Sequence, residues 1–229
     1  MKLRELFEAA LIEVNKRKAP SLLREDFNYF IMKSIYAYIN IGYLSYDKDQ
    51  QSVDDLNELK VVDYSIPLSF QGLRYKGSLP TNYLHILNCQ IEFKANTKFS
   101  CYKENDVFLK SAQRIPTSSV RFVENNFYLK PSYKKPYFYS NGDSLELRTG
   151  DASVLVPQKA YIDYLKIPET VILTEVQLES VEDISQEMQF SHTVCLRIIN
   201  ELIKLLLENT SDPRLQTNIP VNQTVPPTR

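Results

Sequence analysis

The chain has 229 residues, long for one domain and short for two, with 43% hydrophobic residues, enough to build a sizeable core. Its 27 Lys and Arg against 28 Asp and Glu leave a net charge of −1, which excludes the strongly basic footprint of a dedicated duplex-DNA binder. No apolar run reaches the length of about 20 residues that spans a bilayer, and the N-terminal stretch, interrupted by Arg4, Glu5, Glu8 and Glu13, does not read as a signal peptide.

In chain order, residues 2–18 carry Leu3, Leu6, Phe7, Ala10, Leu11 and Val14 at helical spacing, one apolar stripe that predicts an amphipathic helix ended by Pro20. Ser21 is placed to cap a second helix from about 22 to 41, with the stripe Leu23, Phe27, Phe30, Ile31, Ile35 and Tyr38 and with Gly42 as its left-handed stop. The short link between them predicts an αα-hairpin. Residues 45–60 are polar and acidic and read as a loop. From 61 to about 174 the chain breaks into short β-type runs: VDYSIPLSF, HILNCQIEFKA, SLELR, SVLVP and AYIDYLKIP. Asn141-Gly142 between PYFYS and SLELR predicts a two-residue hairpin loop, and 117–126 a short inserted helix. Residues 175–189 read as an acidic, irregular linker. Ser191 then caps a helix from 192 to about 208, with the stripe Val194, Cys195, Ile198, Leu202, Leu205 and Leu206 widened by Ile199, Ile203 and Leu207.

The expected class is α+β. An N-terminal helical hairpin and acidic loop (1–60) and a linker with the C-terminal helix (175–210) form a helical bundle, with a large antiparallel β-rich domain (61–174) as its insert. An extended arm (211–229) follows. That arm, SDPRLQTNIPVNQTVPPTR, has four prolines and no glycine. Ordering it costs about 1–2 kcal/mol per residue in backbone entropy, and its aliphatic side chains return only about 1.5–3 kcal/mol each. It therefore either stays loose or pairs its backbone along another surface. Arg214, Leu215, Ile219, Pro220, Val221 and Val225 are the side chains expected to carry inter-subunit contacts, with Arg214 bridging a carboxylate among Asp54, Asp55 or Glu58.

Catalytic and metal constellations are sparse. His85 and His192 lie in different elements, and there is no CxxC, P-loop, dinucleotide fingerprint or GxSxG pattern. Cys89, Cys101 and Cys195 are read as free thiols of a reducing compartment, with Cys195 a core thiol despite His192 three residues earlier. No catalytic residue, cofactor or metal is assigned. One segment stands out: FYLKPSYKKPYFYS (127–140) interleaves Tyr128, Tyr133 and Tyr137 with Lys130, Lys134 and Lys135, with no acid among them. Such a patch suits a protein interface, an ordinary hairpin with one face buried, or a surface that stacks bases of single-stranded nucleic acid or holds DNA.

The order of segments APSLLREDFNYF, SLPTNYLHILNCQIEF, FYLKPSYKKPYFY, AYIDYLKIPE and ENTSDPRLQTNIPVNQ resembles the neck and tail ring proteins of crAss-like tailed bacteriophages. More distantly it is similar to the head-to-tail adaptors of short-tailed phages. The resemblance spans about residues 3–224. It implies a non-enzymatic virion protein assembled in the host cytoplasm, a homo-oligomeric ring usually of twelve subunits stacked below the portal. The implied partners are further copies of the chain, the portal or neighbouring tail ring proteins, and genomic DNA in passage through an axial channel, with no membrane.

Overall fold

A computed structural model describes residues 1–16, 22–46, 48–72, 74–96, 103–150 and 155–209. The chain is of the α+β class, and it divides into two compact units: Met1–Glu58 with Pro168–Arg229, and Leu59–Ile167.

The first unit is helical: α1 (Leu3–Lys16), α2 (Arg24–Ser45), α3 (Gln50–Asp55), α5 (Glu175–Glu179) and α6 (His192–Asn209). Most of the periodic stripes become its core, but Leu23, placed on the second stripe, precedes α2 and is exposed. Leu3, Leu6, Phe7, Ala10 and Val14 of α1 are buried, as are Phe27, Phe30, Ile31, Ile35 and Ile39 of α2 and Val194, Ile198, Ile199, Leu202, Ile203 and Leu207 of α6. Helix α6 packs on both α1 and α2, which is why its apolar face is wider than one stripe. Ser191 caps α6, its hydroxyl accepting from the Val194 amide at 3.4 Å. Pro20 and Ser21, expected to separate and cap the first two helices, lie outside the described residues.

Two expectations fail in this unit. Gly42 does not stop α2, which runs on to Ser45. A Cβ there would sit 3.0 Å from Leu56 Cδ1, so the glycine serves a close approach rather than a left-handed turn. The supposed loop at 45–60 contains α3, because Asp49 caps it by accepting from the Gln51 amide and the Ser52 hydroxyl.

Helix α3 is locked to α2 and α6 by one carboxylate. Asp55 accepts from Tyr38 Oη at 2.7 Å and pairs with Arg197, while Gln51 Nε2 donates to its other oxygen. Of the three carboxylates named as partners for Arg214, Asp55 is thus already engaged, while Arg214 itself lies outside the described residues. The Tyr38 hydroxyl is pushed up to about 12, by burial first and then by its bond to Asp55. A phenol that holds its proton more tightly folded than unfolded stabilises the fold fully below its ordinary value of 10.0 and loses that contribution as pH rises toward 12. Alkaline destabilisation over this window is expected, and Tyr38→Phe should flatten it in denaturant titrations at pH 9 to 12.

The acidic stretch before α6 is ordered by specific bonds. Thr174 and Gln177 form a reciprocal capping box for α5. The Asn28 side chain clasps both backbone groups of Leu173 at 2.9 Å. The strand-like pairing Lys2↔Glu187, with Leu3 N donating to Gln186 O at 2.9 Å, ties this segment to the start of α1.

The second unit holds two sheets. One runs β1 (Lys60–Pro67), β9 (Leu155–Lys166), β4 (Tyr83–Ala95), β5 (Val107–Ser111) in spatial order. The other runs β2 (Ser69–Gln71), β3 (Arg74–Ser78), β8 (Ser144–Arg148), β7 (Tyr137–Asn141), β6 (Gln113–Arg114). Pairing is antiparallel except between β6 and β7, which are parallel, so the unit is not wholly antiparallel as expected. Ile66, Ile91, Phe93, Ala160 and Ile162 of the first sheet share one core with Tyr75, Phe138, Leu145 and Leu147 of the second.

A bulge between Ile86 and Asn88 lets Ile86 and Cys89 both face inward although three residues separate them. From Leu155 to Lys166 the parts of the runs SVLVP and AYIDYLKIP that are described join as one strand, for Pro157 sits at the shift between Glu92 and Phe93, where no ladder bond from its nitrogen is needed. The hairpin loop is Gly142-Asp143 rather than Asn141-Gly142: Asn141 pairs with Ser144, and Gly142 takes φ +57° at the first loop position. The inserted helix is present as a 3-10 turn, Thr117–Ser119, running into α4 (Val120–Asn125).

Candidate functional site

The segment from Ile115 to Tyr139 is fastened at both ends and exposed between. Val120 and Val123 of α4 are buried with Ile115, Tyr137 and Tyr139 in a small core of their own. Beyond α4, Asn126 Oδ1 accepts from the amides of Tyr128 (2.9 Å) and Leu129 (3.3 Å), and the chain folds into a tight turn. That turn displays Phe127 and Tyr128, 88% and 87% exposed, as an edge-to-face pair with ring centres 5.5 Å apart. Phe122 and Leu129 are exposed close by in sequence. Downstream, Ser132 and Lys135 exchange backbone hydrogen bonds, and the Lys134 ammonium lies 5.8 Å from the Tyr133 ring centre. Lys130, Lys134 and Lys135 are exposed.

Tyr137, grouped from sequence with this patch, does not belong to it. It is 5% exposed and part of the small core, because β7 alternation and the pairing with β8 turn it inward. Tyr133 is half-buried. The displayed group is therefore Phe127, Tyr128 and the three lysines.

Helix α4 also borders a hollow of about 510 Å³ lined by Arg74, Arg121, Arg148, Glu124, Tyr139 and Asn141, with Gln71 and Thr117 at its rim. Behind it Glu146 is 1% exposed, between Leu145 and Leu147 at the middle of β8. Its carboxylate accepts from Arg74 Nη1 (2.5 Å), Tyr139 Oη (2.6 Å) and Asn141 Nδ2 (3.2 Å). Burial pushes the carboxyl up, but the hydrogen bonds from Tyr139, Asn141 and Arg74 outweigh it, and the group is held below its ordinary value. Burial, and after it the bond to Glu146, raises the Tyr139 hydroxyl. Arg148 Nε lies 2.8 Å from Glu124 Oε1, an ion pair rather than a well-aligned hydrogen bond. Three guanidinium groups thus face two carboxylates and leave one net positive charge. Glu146 has its oxygens occupied and acts as a clamp between strands, not as a proton carrier.

The thiols offer no nucleophile among the described residues. Cys89 is fully buried and pushed up to about 12 by burial, with Asp163 adding to it. Cys195 is also buried and raised by burial, while His192 is exposed. His85 is lowered by burial and by Arg114. Cys101 lies outside the described residues, as do Arg214, Leu215, Ile219, Pro220, Val221 and Val225 of the arm. Among the described residues no three His, Cys, Asp or Glu side chains are grouped to hold a metal ion, and no helix is long and apolar enough to cross a membrane.

No protein-family model matches this chain, and no curated protein matches it significantly. The site is therefore read from its own geometry. Sequence spacing gave no sign of the arginine hollow, because β3, β8 and α4 are brought together only by the sheet order. The one local signal was an acid at the centre of SLELR.

Proposed function

We propose that this chain is a non-enzymatic structural subunit of a phage head-to-tail connector. It forms a homo-oligomeric, dodecameric ring below the portal, with an axial path for DNA. In this reading helices from both ends of the chain make a bundle, the β-rich unit is its insert, and the ring contacts further copies and the portal or a neighbouring tail ring in the virion. The segment order that resembles crAss-like phage ring proteins supports the phage assignment.

The observation that carries an assembly role is the Phe127–Tyr128 pair, exposed yet held by a fixed turn with buried anchors on both sides. Each such ring has on the order of 150–250 Å² to bury, and a monomer gains nothing by leaving two of them in water. Rigid, amphipathic aromatics at low entropy cost are the usual anchors of protein interfaces. Near-neutral net charge also suits a channel along which DNA slides without being retained.

The test is electron microscopy and sedimentation of the purified protein with and without portal. Phe127→Ser/Tyr128→Ser should leave monomer stability within about 0.5 kcal/mol and weaken association by roughly 30-fold or more, as expected for anchors worth about 2 kcal/mol. Unchanged assembly would remove the proposal. A second reading, single-stranded nucleic-acid binding, is favoured by the three exposed lysines around the same pair. It predicts salt-dependent binding of an oligonucleotide that Lys130→Ala/Lys134→Ala/Lys135→Ala weakens and whose salt slope that variant flattens. A parent protein with no measurable binding eliminates it.

A further inference from the structure

The hollow beside α4 holds more positive charge than its own carboxylates neutralise, and the surplus sits on one side chain. Arg74 is paired with Glu146 at 2.5 Å, and Arg148 with Glu124 at 2.8 Å. Arg121, the third guanidinium of the lining, is exposed and has no carboxylate partner among the described residues. The neutral donors behind it are committed as well, for Tyr139 and Asn141 both donate to Glu146. We propose that this hollow is a carboxylate socket, which receives an aspartate or glutamate side chain of another protein chain. That the carboxylate comes from the chain covering Phe127 and Tyr128 rests on the assembly reading; the socket itself does not.

Charge and shape narrow the ligand. One uncompensated positive charge matches a monoanion. A phosphate monoester carries about two negative charges at neutral pH and would leave the filled hollow negative beside Glu124. Guanidinium forks fit the two oxygens of a carboxylate, and two of the three are set before any ligand arrives. Glu146, itself buried, holds Arg74 from behind, and Glu124 of α4 holds Arg148. A carboxylate ends its side chain and enters a concavity tip first, whereas a phosphodiester lies mid-chain with a sugar on either side. The lining also offers no open ring face on which a base could stack: Tyr139 is 4% exposed, and alternation along β2 points Phe70 to the opposite face from Gln71.

Position identifies the source. Arg121 is followed on α4 by Phe122, which is 64% exposed. From Arg121 to Phe127 the chain covers at most about 13 Å, four helical steps of about 1.5 Å and two extended ones. An interface of ordinary size, about 800 Å² on each partner, is about 30 Å across, so one partner face reaches both the rings and the hollow. The Arg74 side chain is 43% exposed and Arg121 is open to water, and ion pairs so placed hold a free anion only weakly. The occupant is therefore a carboxylate carried on a surface that the aromatic pair already retains. The rings give affinity, and the socket sets register.

The full-length chain is titrated at low salt with a fluorescein-labelled tetraglutamate peptide, and its association with itself and with portal is followed by sedimentation. Arg121→Ala should weaken peptide binding roughly tenfold, and Arg121→Lys, which keeps the charge but loses the fork, roughly threefold. The same Arg121→Ala should weaken association by a similar factor. Arg121 is exposed and unpaired, so both variants should keep the thermal stability of the parent. No peptide binding by the parent, or binding that Arg121→Ala leaves unchanged, overturns the socket. If Phe127→Ser/Tyr128→Ser still weakens association in that case, the assembly reading survives without it. The converse result, peptide binding lost in Arg121→Ala while the aromatic variant associates like the parent, supports the socket and removes the assembly reading. Binding of a thymidine oligonucleotide that Arg121→Ala weakens more than it weakens the peptide assigns the hollow to phosphate and also overturns the proposal.

Discussion

Glu146→Ala should destabilise the β unit by about 3 kcal/mol, read as a lowered denaturant midpoint with little change in slope. The reason lies in what is left behind. Tyr139 is 4% exposed and would keep a hydroxyl with no acceptor, at a cost of about 1–3 kcal/mol. Asn141 loses its acceptor as well. Arg74 suffers less, because its side chain is 43% exposed and water replaces the carboxylate. Glu146→Gln keeps the shape but points two donors at groups that are themselves donors, so it should recover only part of the loss. The pH dependence has a defined sign. The carboxyl is held below 4.5 in the folded state, so its contribution is complete above that value and is lost as pH falls through the folded pKa. The parent should lose stability below about pH 4.5 more steeply than Glu146→Gln. Identical acid limbs would show that the clamp does not hold a charged carboxylate.

What was legible in the sequence follows from how local each signal is. The stripes of α1 and α6 need only their own chain to declare themselves, and the buried residues Leu3, Leu6, Ala10, Val194, Ile198 and Leu202 lie on them. The displayed Phe127 and Tyr128 were visible as aromatics among lysines, and the bulky rings proved to be surface features because Asn126 closes a turn beneath them. Tyr137 failed as a member of that patch because its direction is set by pairing with Arg148, its Cα partner on β8, not by its neighbours in sequence. Gly42 was misread for a similar reason. A glycine near a helix end signals a left-handed stop locally, whereas here Leu56 from beyond α3 occupies the space a side chain would need. The arginine hollow was the least visible, since Arg74, Arg121 and Arg148 come from three elements far apart in sequence.

Gly150→Ala tests how the displayed aromatic pair is held. Gly150 has φ +79°, a conformation that costs an L-residue about 1–2 kcal/mol. An added Cβ would also lie 2.6 Å from the Pro131 carbonyl oxygen and 3.2 Å from Ser132 Cα. Both are backbone atoms, so no side-chain rotation relieves the contact, and overpacking of this kind adds about 1–3 kcal/mol. Gly142→Ala provides the comparison. It too sits at positive φ, +57°, but nothing lies within 4 Å of its Cβ, so it should show the backbone strain alone. The difference between the two variants isolates the contact between the end of β8 and the 131–132 segment. If that contact fixes the loop, Gly150→Ala should also speed tryptic cleavage after Lys134, the lysine of this segment not followed by proline, by roughly tenfold, about 1.4 kcal/mol of local opening, while Gly142→Ala should not. Equal stability losses and equal cleavage in the two variants would mean that Phe127 and Tyr128 are not held from β8, and the rigid anchor on which assembly depends would have to come from α4 alone.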